Sequence, residues 1–208
     1  IKTHWFGLLL AGIIMIALGF RDQTGFKILY DEHVLSSTAR SMHIDQICYV
    51  QAAGHIIDGE LVATAGNTDK RPLLFPFVLT VVHNVLGYRV GNVFALNAAL
   101  SFVLLAMLYN LITNLCSRSY GVLGLLLIGG LPLLAQNATG GGYEILNLCL
   151  IVGLVLSAVH YFREDSNDSG LDLMILTAIL LANVRYESLL YVLVPPSVFL
   201  LKSLYAGK

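Results

Sequence analysis

A polytopic all-α membrane bundle is the fold class this sequence predicts, and three observations predict it. The 208 residues are 57% hydrophobic and only 12% charged, where a soluble domain carries about 25% charged residues. Mean hydropathy is +0.77, carried by repeated apolar runs near the roughly 20 residues a helix needs to cross hydrocarbon. Most of the charged residues fall between residues 21 and 89, so the expensive groups sit in one polar segment where water, or one another, can satisfy them.

The first apolar run, 4–20, resembles a signal peptide in length, but no small-residue cleavage site follows Gly19, Phe20 and Arg21, and it reads as a retained helix. The segment 21–89 follows as an exported loop. Within it, about 34–57 mixes Val34, Leu35, Ile44, Val50 and Ile57 with polar residues and holds no Pro, which predicts a juxtamembrane amphipathic helix. Gly54, Asp58, Gly59, Gly66, Asn67 and Thr68 supply turn chemistry after it. The run 73–86 carries Pro76, His83 and Asn84, ends at Gly87, and is short for a crossing; it predicts a second helix lying along the interface. Runs at 92–115, 120–136, 143–162, 172–184 and 189–204 bring the expected spans to about six. The whole of 1–208 reads as a single membrane module: first span 4–20, exported loop 21–89, remaining spans 92–204. Because it begins at Ile1, the chain is expected to be part of a longer protein.

Short cytoplasmic connections are enriched in Lys and Arg. With the amino end inside, Lys2, Arg118, Arg163, Lys202 and Lys208 are cytoplasmic and the short outer turns hold only Arg185. The exported segment then faces the exterior of an integral cytoplasmic (inner) membrane. Net charge of −1 argues against nucleic acid as a partner, and no basic tail suggests a polybasic lipid anchor. Cys48, Cys116 and Cys149 lack metal or redox spacing, and the six histidines form no His-x-His or His-x-x-x-His pattern, so no metal site is expected and a divalent ion has no positive support.

The remaining polar residues are candidates for chemistry. Asp31-Glu32, about ten residues beyond the first span, places carboxylates near the head groups, where one can take a proton from an acceptor hydroxyl or amine; the same pair also reads as a solvated helix start, favourable beside the dipole. Asp69-Lys70-Arg71-Pro72 puts two cations where a carrier phosphate arrives, Lys as a point charge and Arg as a bidentate fork; snorkelling anchors are the equal alternative. After Gly140-Gly141-Gly142, Glu144 opens a helix, as a site carboxylate or as a helix-start acid. Arg185 is a further phosphate ligand or a local partner of Glu187. Arg89 ends the exported segment and is a possible partner of Asp31 or Glu32.

A first span followed by Asp31-Glu32, a surface helix, and Asp69-Lys70-Arg71-Pro72-Leu73 opening a second one resembles the GT-C glycosyltransferases. The resemblance is to the branch of dolichyl-phosphate-mannose protein mannosyltransferases and lipid A aminoarabinose transferases. It extends over most of the chain, through Leu86-Gly87 and Glu144, on short motifs. It implies transfer of a sugar from a polyprenyl-phosphate carrier to a lipid, protein or glycan acceptor at the outer face of the cytoplasmic membrane, with inversion; no cofactor is expected from the residues themselves. On that resemblance Asp31 is the general base, Glu32 organises the site through an Arg, and Lys70 holds the carrier phosphate as leaving group. Asp69 replaces the family's Glu and Arg71 its first Pro, which leaves open whether Lys70 or Arg71 takes the phosphate. Glu144 stands where relatives often carry Asp. Family members are longer, so the chain would be their amino-terminal catalytic module. A non-enzymatic polytopic membrane subunit or a transporter component is the alternative. Against transport, His83 and His160 are the nearest approach to an ionisable midplane residue in the expected spans.

Overall fold

The computed structural model describes residues 5–27, 29–58, 60–67, 70–163 and 168–206. Among them the chain is all-α apart from one hairpin. The helices are α1 (Trp5–Arg21), α2 (Leu29–Ile44), α3 (Leu74–Leu86), α4 (Asn92–Leu115), α5 (Arg118–Gly129), α6 (Pro132–Ala138), α7 (Glu144–Arg163), α8 (Asp168–Ala182) and α9 (Val194–Ala206), the last preceded by a 3₁₀ segment, Tyr186–Leu193. Strands β1 (Val50–Ile57) and β2 (Glu60–Asn67) pair antiparallel between α2 and α3.

Three helical segments are long and apolar enough to cross a membrane: Asn92–Leu115, Glu144–Arg163 and Tyr186–Leu204. They coincide with three of the expected spans. The expected span 120–136 is instead a broken one, α5 and α6 bent by 72° around Gly130, Leu131 and the Pro132 that opens α6. Proline lacks the donor to continue the ladder and clashes with the preceding turn, which accounts for the break. The runs at 4–20 and 172–184 form the shorter apolar helices α1 and α8. Six full-length crossings are therefore not what the helix lengths give.

The surface helix expected over 34–57 also needs correcting. It begins earlier, at Leu29, and stops at Ile44; Gln46 has φ of 56°, a left-handed conformation that ends a helix. Ile57 then pairs with Glu60 across a two-residue connection whose first residue, Asp58, has φ of 53°. Asp-Gly is the dipeptide a tight hairpin favours, because both central residues need positive φ. Asp58-Gly59 marked a hairpin, where composition alone had suggested a longer helix.

Helix α3 is an end cap on the bundle. Phe75 and Leu79 are fully buried against Leu35 and Ala39 of α2, and also against Val93 near the start of α4, Leu146 near the start of α7 and Val184 just past α8. A helix crossing beside the others would touch them along their length rather than at their ends. Residues 75, 79 and 83, with 76 and 80, form the buried face expected from spacing of three and four, while Phe77, Val81 and Val85 face outward. Its far end is fixed by Asn92, whose amide donates to His83 Nδ1 at 2.9 Å and to the Gly87 carbonyl at 2.8 Å. Helices α2 and α3 run side by side in the same direction: Asp31 meets Arg71, Thr80 Oγ1 donates to the Ala39 carbonyl, and His43 meets Asn84.

The bundle core joins Ala11, Ile14 and Leu18 of α1 to Leu104, Leu105 and Tyr109 of α4, Leu125 of α5, Ala135 of α6 and Ile145, Cys149 and Val152 of α7. Large apolar side chains such as Leu127, Leu190 and Leu204 remain outward, the inverse of a soluble domain and suited to lipid. The polar connections segregate to two ends. One gathers 21–32, 70–74, 136–147 and 183–188, tied by Gly25 N to the Thr139 carbonyl and Leu74 N to the Asn183 carbonyl, both 3.1 Å. The other holds Arg163, whose Nη2 donates to the Asn114 carbonyl at 2.9 Å, and Lys202, which donates to the Tyr161 carbonyl at 2.5 Å.

Candidate functional site

The first of those ends collects most of the polar residues singled out by sequence. Asp31, in the first turn of α2, pairs with Arg71 just before α3: Nη2 lies 2.5 Å from Oδ1, with the side chains 43% and 27% exposed respectively. The Arg71 guanidinium also stands over the Tyr30 ring, 5.7 Å from its centroid. The pair is half open to solvent, so Asp31 is both oriented and reachable. Lys70 is exposed next to Arg71. Asp69 lies outside the described residues.

Glu32 is a different kind of carboxylate. It is 5% exposed, and its oxygens accept from two backbone amides, Lys27 N at 2.5 Å and Gly141 N at 2.9 Å. It thereby stitches the segment after α1 to the glycine loop before α7. A buried carboxylate satisfied by amides that have no helix partner is a structural clamp. The expected ion pair of Glu32 or Asp31 with Arg89 is not formed. Arg89 is exposed beyond the far end of α3, whose 13 residues rise about 1.5 Å each, roughly 20 Å in all. The arginine that meets the acidic pair is Arg71.

The glycine loop is held from below by Asn97, which sequence reasoning passed over. Its side chain is fully buried, and its amide donates to the Gly140 carbonyl at 2.8 Å and the Gly142 carbonyl at 2.9 Å. A polar residue inside the predicted span 92–115 is costly without partners, and that cost was the available signal. The same contacts explain the glycines. A Cβ on Gly140 would lie 2.9 Å from both the Gln136 carbonyl oxygen and Glu32 Oε1, and one on Gly141 would lie 3.0 Å from the Phe26 ring. Gly140→Ala is therefore expected to destabilise the protein by about 1–3 kcal/mol through overpacking, measured as a fall in thermal unfolding temperature in detergent.

Glu144 follows this loop as the half-buried first residue of α7. Three residues before it, Gly141 is held by Glu32, and the neighbouring Tyr143 ring faces Arg185. Arg185, exposed in the turn after α8, donates from Nε to Glu187 Oε2 at 2.8 Å and stands 5.9 Å from the centroid of the Tyr143 ring. The local Arg-Glu pair is thus formed, and the guanidinium still borders the acidic cluster. Burial pushes the Tyr143 hydroxyl above its ordinary pKa, with Arg185 opposing and Glu144 reinforcing the shift. At the edge, Lys27 sits 3.1 Å from Asp22 and its hydrogen bond holds that carboxyl below the usual range.

Asp31, Glu32, Arg71, Glu144 and Arg185 are thus brought together at one end of the bundle from four separate stretches of sequence, while Arg89 lies apart from them, beyond the far end of α3. Among the described residues no cluster of three or more His, Cys, Asp or Glu side chains is arranged to hold a metal ion. What the arrangement offers chemically is an oriented, accessible carboxylate, flanking cations, and a rigid backbone loop beneath them, over an apolar bundle. Comparison with known proteins returns no matching family model, no matching curated protein and no matching solved structure.

Proposed function

We propose that this chain is the membrane-embedded part of a glycosyltransferase of the GT-C type, moving a sugar from a polyprenyl-phosphate carrier to an acceptor at the outer face of the cytoplasmic membrane. The observation that carries the proposal is the Asp31–Arg71 pair: a half-exposed carboxylate held at 2.5 Å by a guanidinium, with Lys70 next to it, at the end of an apolar bundle. In this reading α1, the bent α5–α6 pair and α8 complete six crossings with the three long segments, and the end bearing Asp31, Glu144 and Arg185 faces outward. Arg163 and Lys202, at the opposite end, satisfy the inside bias for basic residues.

The reaction needs little from the protein beyond positioning and proton transfer. The acceptor hydroxyl or amine gives its proton to Asp31 as its oxygen or nitrogen bonds to the anomeric carbon. The bond from that carbon to the phosphate oxygen breaks on the opposite face, inverting the centre, and the polyprenyl phosphate departs with the electron pair. Lys70, with its charge free of the α3 packing, offsets the growing charge on the leaving phosphate. Arg71 is assigned to Asp31 first, as the residue that aims the base. Glu32 keeps the glycine loop in place, and Glu144 and Arg185 border the acceptor side.

The test is transfer from labelled polyprenyl-phosphate sugars by the full-length protein in liposomes. Lys70→Ala is expected to raise the KM for the donor by roughly tenfold to a hundredfold, the worth of one hydrogen bond to a charged group, with the acceptor KM unchanged. Absence of transfer from a broad donor panel would overturn the reading in favour of a non-enzymatic membrane subunit.

A further inference from the structure

We propose that the groove between α4, α7 and α8 is a binding site for an anionic phospholipid, with its head group at the Arg163 end and one acyl chain lying along the helices. The groove has a volume of about 650 Å³. It runs from Leu146 to Arg163, and 17 residues of helix at about 1.5 Å each make it roughly 25 Å long, enough for a tail from one leaflet of a hydrocarbon core roughly 30 Å thick.

Its chemistry is graded from one end to the other. Along most of its length the wall is Leu100, Leu146, Leu150 and Leu156. The hydroxyls that border it are already satisfied within their own helices: Ser157 Oγ donates to the Gly153 carbonyl at 2.8 Å and Thr177 Oγ1 to the Leu173 carbonyl at 2.7 Å. Such back-bonding leaves no free hydroxyl donor facing the groove. Midway, Gly153 presents no side chain; a Cβ there would already stand 3.4 Å from Met107 Cε and 3.6 Å from Thr177 Cγ2, so anything larger fills the space. The far end changes character to Asn110, Asn114, His160 and Arg163. Arg163 is exposed, with one nitrogen donating to the Asn114 carbonyl, and a guanidinium has further donors for phosphate oxygens.

A polar substrate would find few partners and no free hydroxyl donor along the wall, and a neutral apolar helix would gain nothing from the cation at the mouth. A chain of methylenes ending in a phosphate matches both. This end also carries Arg118 and Lys202, and basic pockets between spans on the cytoplasmic side are where anionic head groups are held. Its charged mouth lies at the end opposite Asp31, although its apolar wall reaches back to Leu146, so the cation under test takes no part in the proposed sugar transfer.

The experiment is lipid retention by the full-length protein in detergent, titrated with phosphatidylglycerol or phosphatidylcholine and read by native mass spectrometry. Wild type is expected to hold phosphatidylglycerol about fivefold more tightly than phosphatidylcholine, the worth of about 1 kcal/mol for one basic residue near the surface. Arg163→Gln is expected to erase that preference and Arg163→Lys to keep it. Gly153→Leu, which fills the groove and leaves the cation, is expected to lower retention of both lipids. Equal retention of the two lipids by wild type, or a preference unchanged in Arg163→Gln, overturns the proposal. So does full retention in a Gly153→Leu variant with native helicity. Should Gly153→Leu not fold, the two Arg163 variants decide alone. Sugar transfer is not a readout here, so the two proposals fail separately.

Discussion

Asp31→Asn is expected to lower sugar transfer by about 10²–10⁴-fold, the contribution of a positioned general base, while the protein inserts and unfolds as wild type does. The substitution is nearly isosteric. An asparagine Oδ1 still accepts from Arg71, so the contact that ties α2 to the start of α3 survives without its charge, and a half-exposed ion pair contributes only about 0–1 kcal/mol to stability. Proton acceptance is what the amide removes. The expected signature is therefore a fall in kcat with little change in the donor KM, the reverse of the Lys70→Ala pattern. Transfer undiminished in Asp31→Asn would remove Asp31 as the base and make Glu144 the next carboxylate to test, since it shares the same end of the bundle.

Arg71 gives this assignment a second check. If it aims Asp31, Arg71→Lys should retain part of the rate because an ammonium can still meet Oδ1, whereas Arg71→Ala should lose kcat. A residue that held the carrier phosphate would instead show its loss in the donor KM. The sequence left the choice between Lys70 and Arg71 open, because both sit in one four-residue cluster. The 2.5 Å contact gives Arg71 a carboxylate partner, and on that ground the phosphate is assigned to Lys70 in the proposed mechanism.

The legible part of this fold was what burial and length determine. Apolar runs of span length gave 92–115 and 143–162 almost to the residue, and they gave the short helix 73–86 with Gly87 at its end. Two features were lost because the deciding information is local. Gln46 and Asp58 adopt positive φ, and a 3.6-residue pattern carries no notice of that; the Asp58-Gly59 dipeptide did, and it outweighed the apolar residues on either side. The bend of the fifth helix rests on a single proline, Pro132, in an otherwise spanning run. For the site, the acidic pair and the Lys70-Arg71 cluster were visible because charge is rare in this chain. Which arginine meets which carboxylate was not, since it depends on α2 and α3 running in parallel with a hairpin between them. Asn97 was passed over for a related reason: an asparagine in an apolar run signals a buried polar contact, and only the returning glycine loop shows what it contacts.

Glu32 carries the largest structural expectation. Glu32→Ala is expected to destabilise the protein by about 3 kcal/mol, because it removes the acceptor for two backbone amides and leaves them without a replacement. Unlike the Asp31 pair, this carboxylate is 5% exposed, so water does not readily substitute. Glu32→Gln should fall between: its carbonyl oxygen still accepts from one amide, but its NH₂ faces the other donor to donor. Thermal unfolding in detergent gives the ranking, wild type above Gln above Ala. The second readout is local, amide hydrogen exchange at Gly141, which should accelerate in both variants before the helices of the core open. Sugar transfer should fall with loop order, and unlike the loss in Asp31→Asn, it should recover in part on cooling as the loop closes again. An alanine variant as stable as wild type would mean that the two amides are served by water, and that Glu32 belongs to the chemistry rather than to the frame that supports it.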